Sequence, residues 1–87
     1  MVYQITVEYD GDSETFREIY GRLRGILESI SSKYVELPGD INKKGYGTDF
    51  HLLYSVGKKG EAEEFRDIVI RKGLAKTVHI DEINILK

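Results

Sequence analysis

Four carboxylates fall within the segment Glu8-Tyr9-Asp10-Gly11-Asp12-Ser13-Glu14. Carboxylate oxygens suit a hard cation, and a glycine turn among them lets several converge on one point, so Glu8, Asp10, Asp12 and Glu14 are candidate ligands for calcium. An EF-hand loop would need an Asp-x-Asp-x-Asp-Gly run and a glutamate at its twelfth position, and neither is present. The competing reading is structural: Asp12 or Ser13 caps a helix, and Glu14 answers the positive end of that helix.

A second candidate is Lys43-Lys44-Gly45-Tyr46-Gly47. Ammonium groups that reach phosphate, beside an aromatic ring that stacks on a base, are the elements of RNA binding, so Lys43, Lys44 and Tyr46 form an alternative nucleic-acid site. Lys44-Gly45-Tyr46-Gly47 resembles the opening of the RNP1 pattern of RNA recognition motifs. The likeness ends there: Thr48 stands at the position of the second aromatic, Asp49 replaces an apolar residue, and Gln4 interrupts the first-strand motif. A hairpin tip whose glycines serve the turn explains the same residues.

Other features carry less chemistry. Gly57-Lys58-Lys59-Gly60 at a helix start could attract an anion, but Glu61, Glu63 and Glu64 already answer the helix dipole and repel phosphate. His51 and His79 are the only histidines, with no histidine or cysteine at metal-ligand spacing, and His51 sits in an apolar run that suits a structural residue. No nucleophile, base and orienting group can be assembled from the sequence, so an enzyme is not expected. Gly21-x-x-x-Gly25, with Ser29 and Ser32, leaves a helix face of small residues, and that face or an open sheet edge offers a route to a homodimer.

The elements that must position these groups follow from apolar periodicity. Val2 to Tyr9 alternates as a strand, and from Phe16 the apolar residues recur at steps of three and four through Ile19, Tyr20, Leu23, Ile26, Leu27, Ile30 and Tyr34. Tyr34 to Leu37 reads as a short edge strand stopped by Pro38, followed by a loop or long hairpin tip over Gly39 to Asp49. Phe50 to Val56 is apolar enough for a central strand. Ala62, Phe65, Ile68 and Val69 mark a second helix that Gly73 stops, and Thr77 to Leu86 forms a last strand with a bulge near Asp81-Glu82. The order β, α, β, β, α, β predicts one α+β domain over residues 1–87: a ferredoxin-like two-layer sandwich with a four-stranded antiparallel sheet and both helices on one face.

The chain has 87 residues, no cysteine, and 13 basic against 15 acidic side chains, for a formal charge of -2. One hydrophobic core is expected, and there is no global basic field to hold a polyanion. The lack of disulfides fits a reducing compartment, no apolar run reaches membrane-spanning length, and the amino terminus does not read as a signal peptide, so the cytosol is the expected location. Lys and Glu richness also fits a thermophile source. With the acidic segment Glu8 to Glu14, this composition resembles small α+β proteins of methanogenic archaea, one of them described as calcium-binding. That resemblance implies an archaeal origin and a cation at the first loop.

Overall fold

A computed structural model describes residues 2–44 and 47–83, with side chains left undescribed over 38–48. The elements run β1 (Val2–Gly11), α1 (Ser13–Ile30), β2 (Tyr34–Lys44), β3 (Gly47–Val56), α2 (Lys59–Arg71) and β4 (Thr77–Ile83). They form a four-stranded sheet in the order β2-β3-β1-β4 with every neighbouring pair antiparallel, which is the expected ferredoxin-like arrangement.

Alternation in β1 decides which face is buried. Ile5 and Val7 are fully enclosed with Tyr54 and Val56 of β3, and onto them pack Ile19, Leu23 and Leu27 of α1 and Ala62, Phe65 and Val69 of α2. Both helices therefore cover one face, and the residues between these on β1 and β3 lie on the other. Aromatic rings reinforce the layer contact: Phe16 of α1 stacks on Phe50 of β3 at 3.8 Å between centroids.

The helix ends obey local chemistry. Asp12 caps α1 with both carboxylate oxygens, Oδ1 accepting from the Thr15 amide at 2.8 Å and Oδ2 from the Thr15 hydroxyl at 3.1 Å. At the end of α2, Gly73 takes φ 64°, its amide donates to the Ile70 carbonyl, and the Leu74 amide reaches back to Val69, a Schellman closure. On α1, Gly21 and Gly25 are exposed with nothing near the place a side chain would take.

Three sequence expectations change. Strand β2 does not stop at Pro38: pairing with β3 continues to Lys44, with a register shift between Leu37 and Asp40 that spans the proline. As an edge strand β2 bonds on one side only, so a missing N–H produces an irregularity instead of an end. The segment Gly39 to Asp49, expected as a loop or long hairpin tip, is accordingly the end of a hairpin whose paired arms reach Lys44 and Gly47, with residues 45–46 outside the described region. In β4 there is no bulge at Asp81-Glu82, because pairing with β1 runs unbroken from Thr77 to Ile83. The apolar pattern simply changes face there: Val78 and Ile80 look toward the helices, whereas Ile83 stands opposite Val2 on the uncovered side.

Candidate metal centre on the uncovered sheet face

The two central strands carry the site. Because Phe50, Tyr54 and Val56 are buried beneath the helices, the two-residue period of β3 places Asp49 and His51 on the uncovered face. Antiparallel pairing with β1 then sets His51 opposite Glu8 and Asp49 opposite Asp10.

The side chains converge within this frame. His51 Nε2 lies 3.3 Å from Asp49 Oδ2 and 3.4 Å from Glu8 Oε2. One ligand atom from each of Glu8, Asp49 and His51 falls within 4.8 Å of the others. His51 Nε2 is closed off from solvent and makes no hydrogen bond among the described residues, because neither carboxylate meets it at a bonding angle. An off-axis approach at this spacing is poor for a shared proton. It does suit a shared ion: at metal-ligand bonds of roughly 2.0–2.1 Å, the edge of a tetrahedron is about 3.3 Å.

Glu8 is fixed from a third side. Its carbonyl accepts from the Lys76 amide at 2.8 Å, and its Oε1 lies 3.9 Å from Lys76 Nζ. Lys76 belongs to the connection between α2 and β4, so three separate stretches of chain meet at this carboxylate.

The acidic segment read from the sequence does not gather as a unit. Of its four candidates, only Glu8 joins a group of three donor residues among the described residues. Asp10 stands on the same face one register step away and is exposed. Asp12 is engaged by the α1 cap, and Glu14 lies exposed in the first turn of that helix. The partners that sequence reasoning missed are Asp49, assigned to a loop, and His51, taken as structural. The alternation Phe50, Leu52, Tyr54, Val56 already implied that both lie on the opposite face, but their meeting with Glu8 depends on strand register, which no local pattern specifies.

Lys43 and Lys44 end β2 at register positions opposite Thr48 and Gly47, and Tyr46 lies outside the described residues. The aromatic residues of the central strands, Tyr3, Tyr9, Phe50 and Tyr54, belong to the helix-covered side, while the open face presents Glu8, Asp10 and Asp49. RNA recognition motifs stack bases on sheet aromatics; among the described residues of β1 and β3, this face carries no Phe or Tyr. His79 pairs with Asp81 at 3.1 Å on the exposed edge of β4, without a third donor residue among those described. The lysine turn before α2 opens onto a cleft of about 310 Å³ shared with Lys33, but Glu61 lines the same space.

No protein-family model matches the chain, and no curated protein sequence matches it. Among solved structures, the de novo designed protein Foldit4 superposes with a TM-score of 0.63 at 17% identity, covering 92% of this chain and 89% of its own. The periplasmic divalent cation tolerance protein CutA from Archaeoglobus fulgidus superposes with a TM-score of 0.53 at 18% identity, covering 100% of this chain and 86% of its own. At these identities the likeness is one of fold. No helix among the described residues is long and apolar enough to cross a membrane.

Proposed function

We propose that this protein binds a divalent transition-metal ion through Glu8 Oε2, Asp49 Oδ2 and His51 Nε2. The observation that carries the reading is the enclosed imidazole nitrogen, set 3.3 and 3.4 Å from two carboxylate oxygens without a hydrogen bond to either. Spacing alone does not separate the metals, since larger octahedral ions have similar edges. The donor set does: an imidazole nitrogen with two carboxylates suits zinc, cobalt or nickel, whereas calcium asks for six to eight oxygens. A metal held here would share only Glu8 with the calcium site expected of Glu8, Asp10, Asp12 and Glu14. Three protein ligands leave at least one coordination position for a further donor. The Archaeoglobus protein bears divalent cation tolerance in its name.

The test is a titration of Zn²⁺, Co²⁺ and Ca²⁺ by calorimetry at fixed ionic strength, with Co²⁺ absorption reporting coordination geometry. Saturable 1:1 binding of Zn²⁺ and Co²⁺, abolished by His51→Ala or Asp49→Asn and retained in Asp12→Asn, is the expected result. Zn²⁺ binding that survives His51→Ala, or none in the unaltered protein, would overturn it.

A further inference from the structure

Lys76 meets Glu8 in two ways: its backbone amide donates to the Glu8 carbonyl at 2.8 Å, and its half-exposed ammonium forms an ion pair with Oε1 at 3.9 Å. The backbone contact fixes where this side chain starts, and the ammonium lies at the carboxylate oxygen that does not face His51. The two oxygens of Glu8 are therefore differentiated: Oε2 looks into the cluster of donors, and Oε1 looks toward a cation supplied by the chain itself.

We propose that Lys76 is the selectivity-determining residue of this centre, holding Glu8 to ligation through one oxygen and so favouring small transition-metal ions over calcium. This rests on the reading of Glu8, Asp49 and His51 as a metal centre. Calcium commonly engages a glutamate through both oxygens to fill its large coordination sphere, whereas zinc is satisfied by four donors and needs one oxygen from each carboxylate. An ammonium at Oε1 competes with the second bond and leaves the first in place. It also adds positive charge near the metal, which weakens every divalent ion to a comparable degree. Denticity and charge thus make different predictions: charge moves all affinities together, while denticity moves their ratio.

The experiment measures Zn²⁺ and Ca²⁺ affinities by calorimetry for the unaltered protein, Lys76→Gln and Lys76→Arg, with thermal melts confirming that each variant folds. Lys76→Gln is expected to tighten both ions, calcium more than zinc, narrowing the zinc preference about tenfold. Lys76→Arg keeps a cation at Oε1 and is expected to preserve the original ratio. Equal tightening of both ions in Lys76→Gln, or no change in either, would overturn the assignment while leaving the metal centre intact. Failure of the unaltered protein to bind Zn²⁺ would remove the centre and this role together.

Discussion

Asp10 of β1 and Asp49 of β3 occupy directly opposed positions in the central ladder, with Glu8 one step along the same face. Like charges placed opposite each other in a sheet oppose its formation. Asp10→Asn removes that repulsion, a gain of about 0.5 kcal/mol, read in chelator-treated buffer as the salt-dependent part of the change in urea unfolding. The gain should shrink in high salt, which screens exposed charges. The same substitution should weaken Zn²⁺ binding without abolishing it, since Asp10 adds field and is not among the three converging ligands. A destabilised Asp10→Asn would mean that the carboxylate makes an attractive contact worth more than the repulsion it causes.

Asp12 links stability to acid. The Thr15 amide, and after it the Thr15 hydroxyl, hold the Asp12 carboxyl below its ordinary value of 3.8. A group whose folded pKa is depressed contributes stability above its unfolded pKa and loses it as pH falls through the folded value. The cap should thus act in full at neutral pH and fade below about pH 4. Asp12→Ala should lower the melting temperature at pH 7, and the gap to the unaltered protein should close as the pH is brought down. A constant gap across that range would show that the cap acts without its charge.

Tyr54 is fully buried, and its hydroxyl finds no hydrogen-bond partner among the described residues. Burial, followed by the nearby Glu36 carboxylate, raises its pKa above the ordinary 10.0, so the ring stays neutral. A buried hydroxyl without a partner costs on the order of 1–3 kcal/mol. Tyr54→Phe keeps the ring against Phe65 and removes that cost, so it should be stabilising by roughly 1 kcal/mol in chemical denaturation. Loss of stability would reveal a bridging water that satisfies the hydroxyl.

How far the sequence foretells this molecule differs between fold and site. The stripe Ile19, Leu23, Leu27 and the stop at Gly73 were legible because helix periodicity and left-handed glycine act within a few residues. The element order gave the sheet topology because few right-handed connections satisfy it. The length of β2 was not legible, since Pro38 reads as a terminator unless its pairing on one side is already known. The same limit hid the cluster of Glu8, Asp49 and His51. Glu8 was found by its acidic neighbours, whereas Asp49 and His51 join it only through a register spanning α1 and β2, and their own neighbourhood is mostly apolar.

The position of β1 has a consequence in time. This strand is made before the rest of the sheet, yet it lies between β3 and β4, and Val2 closes against Ile83, beyond both helices in chain order. Its β4-side edge stays unpaired until residues 77–83 leave the ribosome, so the sheet is completed only after both helices have been made. Such non-local pairing slows folding, because distant segments must find each other before their contacts stabilise anything. In the interval β1 is an apolar strand with one open side, the form in which nascent chains are most prone to pair with one another. For this molecule β4 is a guard against aggregation as much as a part of the fold.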